Sequence, residues 1–238
     1  MKRYEDGTRE RRCLNPARHL LALLLLFVLL AFPVRGAAEN GVTPVWKEGD
    51  VWSVQVVYPV QGGGWSSPVL CEYRISGVPG PDSNMYVLEV KGLGRAPKVD
   101  VRLAYRNDFS LAGVEIIRTF RGRNIVTALK YESSAPIQTE HTLTPCDTPV
   151  FPLCLPSSTE YSLMRRIDEK LKIRETVRQE VRQVSGVDEL PDQPPGRDLI
   201  EVRCTGKDGL IFAQYWDKNL PWPVYGENRN MKYWLVRE

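Results

Sequence analysis

A two-residue alternation of apolar and polar side chains runs through most of this chain and limits what it can fold into. Val99, Val101, Leu103 and Tyr105 fall on one side, with Asp100, Arg102 and Arg106 on the other. Trp52, Val54, Val56 and Tyr58 alternate with Ser53 and Gln55, and Cys71, Tyr73 and Ile75 with Glu72 and Arg74. Tyr86, Leu88 and Val90 repeat the pattern, Val114–Phe120 and Ile125–Tyr131 are rich in β-branched and aromatic residues, and Ile200, Val202 and Cys204 alternate with Glu201 and Arg203. Leu210–Trp216 and Tyr233–Val236 complete the set. Side chains of period two belong to strands with one face in a core and one in water.

Turn chemistry separates these segments. Gly77–Asp82, Arg106–Asp108, Arg121–Arg123 and Thr205–Gly209 break the alternation with Gly, Pro, Asn and Asp. The segment 160–184 departs from the pattern. Ser157 with Glu160 makes a capping box, and Leu163, Ile167 and Leu171 are spaced by four. These signals predict a helix over Thr159–Lys172; residues 173–184 fit helix or strand. The expected architecture is mainly β (α+β): an antiparallel twisted sheet or half-barrel of about eight strands with at least one covering helix.

The alternation begins only after an export signal. Arg9, Arg11, Arg12 and Arg18 precede an apolar run from Leu20 to Phe32, followed by Gly36, Ala37 and Ala38. A charged region, an apolar region and small residues, in that order, are the layout of a secretory signal peptide. The run is shorter than the roughly 20 residues that span a bilayer. Residues 1–38 are therefore expected to be removed, with the cut at Ala38|Glu39 or, as a second option, Gly36|Ala37. Residues 39–238 are then a single exported domain, periplasmic or extracellular. An uncleaved N-terminal anchor is the alternative.

Removal of the leader changes the chemistry. The whole chain has 32 basic and 29 acidic residues, a net +3. Seven of those bases and three of those acids lie in residues 1–38, which leaves 25 and 26. A nearly neutral domain lacks the basic footprint of a nucleic-acid binder. Cys13 and His19 go with the leader, leaving Cys71, Cys146, Cys154, Cys204 and a single histidine, His141. An even cysteine count in an exported chain reads as disulfides. Cys146 and Cys154 flank a short proline-rich loop and form the local pair, worth roughly 2–3 kcal/mol on the chain-entropy account. Cys71 and Cys204 form the remaining pair; two buried thiols are the alternative.

Few residues suggest chemistry. One histidine leaves a catalytic triad or a His-rich metal site with a single imidazole. His141, Cys146, Asp147 and Cys154 match a zinc set in type, but a loop histidine beside a disulfide explains them more simply. Gly62-Gly63-Gly64 lacks the spacing and helix of a phosphate loop and reads as a hairpin tip. The acids are scattered on polar strand faces. Arg165–Arg182 has seven bases and four acids, interspersed as on a solvated face. No catalytic residue, metal ligand or cofactor is expected.

The tryptophans are the exception: Trp46, Trp52 and Trp65 lie near one end of the mature chain, and Trp216, Trp222 and Trp234 near the other. Either the first and last strands share an aromatic core, or some rings serve a ligand. In Leu220-Pro221-Trp222-Pro223-Val224-Tyr225 the prolines hold the backbone extended. Trp222, Tyr225 and Trp216 are therefore the candidate ligand-binding residues, for a sugar face or an acyl chain.

Trp46-Lys47-Glu48-Gly49-Asp50-Val51-Trp52, with Gln214-Tyr215-Trp216 and Pro221-Trp222-Pro223, resembles exported β-rich bacterial proteins of uncharacterised function. The strand run between them is similar, more loosely, to periplasmic lipoprotein-carrier domains, which have a curved sheet and a covering helix. That resemblance implies a cell-envelope location and a non-enzymatic, ligand-holding role, and it carries over no functional residue. The expected function is thus an exported binding or carrier module for an apolar or lipid ligand held between sheet and helix. A structural or assembly protein of the envelope is the alternative, and a hydrolase using scattered acids ranks third. Lipid, glycan or an envelope protein are the partner classes; nucleic acid is not.

Overall fold

The computed structural model describes residues 41–81, 83–93, 99–130, 144–166, 172–185 and 198–236. The leader, its cleavage site and His141 lie outside these residues. Twelve strands form one antiparallel sheet: β1 (Val51–Val57), β2 (Val69–Gly77), β3 (Met85–Gly92), β4 (Val99–Arg106), β5 (Leu111–Phe120), β6 (Arg123–Lys130), β7 (Ser157–Arg166), β8 (Lys172–Val184), β9 (Leu199–Gly206), β10 (Gly209–Trp216), β11 (Tyr225–Asn228) and β12 (Met231–Val236).

The spatial order is β6-β5-β4-β3-β2-β1-β12-β11-β10-β9-β8-β7. The chain starts at the centre, walks out to one edge, crosses to the opposite edge and walks back. Its first and last strands meet in the middle, with Val54 opposite Leu235 and Val56 opposite Tyr233.

This corrects the expected eight strands with a covering helix: the sheet has twelve, and no helix occurs among the described residues. The segment read as a helix is a hairpin. β7 and β8 pair from Ser157↔Val181 to Arg166↔Lys172, and β8 pairs onward with β9. The helical signal was local: a capping box is worth about 1 kcal/mol. The hairpin makes ten cross-strand pairs, each worth roughly 0.2–1 kcal/mol. It also buries Val177 and Val181 against β9.

One face of the sheet carries the core, in two clusters. The first gathers Val54, Val56, Tyr73, Ile75, Leu88, Leu103, Tyr105, Val114 and Tyr233. The second gathers Val177, Val181, Val202, Cys204, Phe212 and Trp216. Burying a large apolar side chain stabilises by about 1.5–3 kcal/mol, so these clusters dominate the energetics. Phe151 links them, its ring 5.5 Å from Phe109 and 5.4 Å from Trp216.

Phe151 belongs to a strap, residues 144–156, that lies on this face before β7. Polar side chains of the sheet hold it. Gln179 takes Val150 by both backbone groups, accepting from its N–H at 2.8 Å and donating to its carbonyl at 3.0 Å. Gln214 donates to the Asp147 carbonyl at 2.7 Å, and Asn228 donates to the Asp147 carboxylate at 2.5 Å. Val42 and Leu153 exchange two backbone hydrogen bonds, at 3.0 and 2.8 Å. Strap and aromatic side chains thus lie where the sequence reading put a helix and a ligand.

The expected disulfides are also corrected. Cys71, Cys146, Cys154 and Cys204 are all thiols in the structure. Cys146 packs in the first cluster, whereas Leu153, next to Cys154, packs in the second. Cys71 and Cys204 do face the core side of their strands, as the alternation implies. However, β1, β12, β11 and β10 lie between β2 and β9. Five strand spacings are about 24 Å along the sheet, whereas a bridge needs Cα atoms within roughly 7 Å. Burial holds the Cys71 thiol up at about 11 and Cys204 at about 12, so both stay protonated and unreactive.

Candidate functional site

The three aromatic residues singled out from the sequence are not brought together, and none is more than 3% exposed. Trp222 sits inside the first cluster, its ring 5.2 Å from Tyr73, 5.9 Å from Trp52 and 6.2 Å from Trp46. Trp216 lies in the second cluster and donates through Nε1 to Gln214 Oε1 at 3.1 Å. Tyr225 is on the opposite face of the sheet, where its ring is 5.8 Å from Tyr215 and its hydroxyl donates to Glu227 at 3.2 Å. The backbone around Trp222 bends at Leu220, Pro221, Trp222 and Val224 instead of running extended, and the Pro221 carbonyl accepts a 2.7 Å hydrogen bond from Trp46 Nε1. That contact fastens the segment to the core with the Trp222 ring inward.

The same contact shapes a cleft. On one side is the turn Lys47–Asp50. The Asp50 carboxylate accepts from the Lys47 N–H at 2.8 Å, the Asp50 N–H donates to the Lys47 carbonyl at 3.1 Å, and Gly49 takes φ +89°. A positive φ of this kind favours glycine. On the other side is the turn after β10. Asp217 accepts from Asn219 N–H through its carboxylate at 2.8 Å and from Leu220 N–H through its carbonyl at 3.0 Å. Side-chain oxygens that bond the backbone two residues on are what make aspartate a turn former. Both walls are therefore fixed by short-range hydrogen bonds, and the Trp46–Pro221 bond joins them.

Between the walls lies a cavity of about 420 Å³. Ligand sites usually span about 300–1,000 Å³. Val45, Val51, Trp52, Leu220 and Pro221 supply its apolar lining, and Lys47, Lys218, Asp50 and Asn219 its polar groups. Val45 is 71% exposed and Val51 47%, so both offer apolar surface to the cleft. The charged lining residues are two lysines and one aspartate, and the aspartate carboxylate already bonds a backbone N–H.

Sequence reasoning missed this site, although one signal was present. Val51 falls in the same phase of β1 as Ser53 and Gln55, the side expected to be polar. Lys47 and Lys218 carried no signal, since turn lysines are commonplace.

A second feature lies beneath the strap. The buried Asp147 carboxyl has its pKa pushed up to about 6 by loss of water, opposed by the hydrogen bond from Asn228. Gln214 sits at the middle of this network, donating to the Asp147 carbonyl and to the Tyr233 hydroxyl, the latter at 2.8 Å. Nearby, Tyr73 OH, Tyr105 OH, Trp52 Nε1, Trp222 Nε1 and Thr148 Oγ1 are buried without a hydrogen-bond partner. Each such group costs about 1–3 kcal/mol. No group of three or more metal-ligating side chains occurs among the described residues. No protein-family profile, curated protein or solved structure matches the chain.

Proposed function

We propose that the mature domain is a non-enzymatic binding module of an exported protein, and that its ligand is an amphiphile with an apolar chain and an anionic head. The carrying observation is the cleft between the Lys47–Asp50 and Asp217–Leu220 turns, which joins an apolar lining to two lysines. An acyl chain would cover Val45 and Val51, and the anionic head would lie between Lys47 and Lys218. Ammonium groups at the rim act as point charges and do not demand one head-group geometry. The export signal in residues 1–38 supports a location where such molecules are found, and the buried state of Trp222 and Trp216 favours the cleft over the sheet interior as the binding place.

Titration of the mature protein with dodecanoate, read by tryptophan fluorescence, tests this reading because Trp52 lines the cleft. Saturable binding is expected, with dodecylamine and dodecyl maltoside binding at least about tenfold more weakly. Lys47→Glu with Lys218→Glu should abolish the preference for the anion, and Val51→Asp should abolish binding. Equal binding of all three amphiphiles, or no saturable binding, would overturn the proposal.

A further inference from the structure

The β6 edge of the sheet has a chemistry of its own, independent of the cleft. The β5–β6 hairpin turns on Arg121 and Gly122, with φ of 49° and 75°. Two successive positive φ values mark the two-residue turn that matches strand twist. Phe120 and Arg123 flank that turn as a pair, and the register then runs unbroken through Arg118↔Ile125 and Ile116↔Thr127 to Gly113↔Lys130. In such a ladder the bonded pairs alternate. Arg123, Ile125 and Thr127 therefore bond to β5, while Asn124, Val126 and Ala128 turn their N–H and C=O groups outward. Among the described residues β6 has no second neighbour.

Edge strands usually carry a defence against further pairing: shortness, a proline, a bulge or a charge in mid-strand. β6 is eight residues long, contains no proline, keeps its register and has no charge between Asn124 and Ala128. Ile125 and Val126 project to opposite faces, and each is more than half exposed.

The charge on this edge is of one sign. From Ile116 to Lys130 the chain has Arg118, Arg121, Arg123 and Lys130 and no acid. The acids further in are Glu115, ion-paired to Arg102, and Asp100 on β4. Pairing with a second copy is disfavoured. An antiparallel match centred on Val126 would set Lys130 of one copy against the Arg121–Arg123 turn of the other. Like charges so placed repel, whereas acidic side chains would be attracted to both ends of the strand.

We propose that the β6 edge accepts an extended acidic segment of a partner protein as a thirteenth strand. Main-chain bonds to Asn124, Val126 and Ala128 would hold it, and Ile125, Val126 and the four basic residues would select it. Strand addition of this kind takes affinity from the backbone and specificity from alternate side chains.

Fluorescence anisotropy with a labelled peptide of alternating glutamate and valine, matched in length to β6, tests the proposal. Saturable binding is expected. A lysine–valine peptide, and the glutamate–valine peptide N-methylated at alternate residues, should each bind at least about tenfold more weakly. Val126→Pro deletes one outward N–H and leaves the β5 ladder intact, so it should weaken binding similarly. If that variant fails to fold, the N-methylated peptide makes the same test on the unaltered protein. Arg118→Glu with Arg123→Glu should abolish the preference for acid. Equal binding of the N-methylated peptide would overturn strand addition. Binding to vesicles of phosphatidylcholine and phosphatidylglycerol with none to the peptide would overturn it in favour of a membrane surface. Dimerisation that Val126→Pro abolishes, without peptide binding, would overturn it in favour of self-association.

Discussion

Gly226 on β11 and Tyr233 on β12 are direct cross-strand partners, and the Tyr233 ring fills the space that a Cβ on Gly226 would need. The ring cannot move aside freely, because its hydroxyl accepts the hydrogen bond from Gln214 that orders the network under the strap. Gly226→Ala is therefore expected to destabilise by about 1–3 kcal/mol, the range for overpacking. Tyr233→Ala in the same chain should relieve most of that effect. Urea midpoints of the two single variants and the double variant check it; additive losses would show that the two residues do not contact.

Asp147 gives the fold a defined pH response. Its pKa in the folded chain, about 6, lies above the ordinary 3.8. The sign follows from that direction: a carboxyl held neutral by burial stabilises the fold fully below pH 4, and that contribution is lost as pH rises through 6. Stability should thus fall by roughly 3 kcal/mol between pH 4 and pH 7 on account of this group. Asp147→Asn should flatten the profile across this window and raise stability at pH 7. Chemical denaturation at pH 4.5, 5.5, 6.5 and 7.5 measures it, and a variant profile parallel to the parent's would refute it.

The strap depends on Gln179. Its side-chain amide satisfies both backbone groups of Val150, and Asn, which carries the same amide, is one methylene shorter. Gln179→Leu keeps the volume and leaves the Val150 N–H and C=O without those bonds, a loss of about 2–4 kcal/mol. Amide hydrogen exchange at Val150 should accelerate far more than exchange in β4, whose core side chains lie in the other cluster. Uniform acceleration would mean that the strap has no opening of its own.

The thiols make a covalent prediction. Alkylation of denatured residues 39–238 without reductant should add four groups, one for each of Cys71, Cys146, Cys154 and Cys204. In the native protein Cys154, the one that is not fully buried, should react first. An intact mass lower by two hydrogens, with only two sites labelled, would show a bridge.

Much of the sheet was legible because side-chain period survives in sequence wherever one strand face is buried. Val99–Arg106 reads as a strand and is β4 over those same residues. β11 was not legible. Its core-facing residues are Gly226, which lies beneath a ring, and Asn228, which holds Asp147, so no apolar alternation marks it. At β7 a local helix signal competed with a pairing partner that only the folded chain supplies. In the candidate site, proline chemistry around Trp222 fixed neither the backbone path, which bends at Leu220, Pro221 and Trp222, nor the side to which the ring turns. That direction is set by Trp46, 176 residues earlier, through the carbonyl of Pro221. The cleft depends on two turns that become neighbours only after β1 and β12 have paired.

The placement of β1 beside β12 divides the molecule in a way that its single sheet conceals. Residues 41–130 hold one meander and residues 144–236 the other, each stitched by hairpins between strands close in sequence. Their strands meet along one seam, Ser53↔Val236 to Val57↔Lys232, across which the strap and the Trp222 loop also reach. Contacts this distant in sequence form late and slowly. Each half can therefore gather its own hairpins before the seam closes. A chain cut between Lys130 and Thr144 would consist of two pieces shaped to complement one another and reassemble.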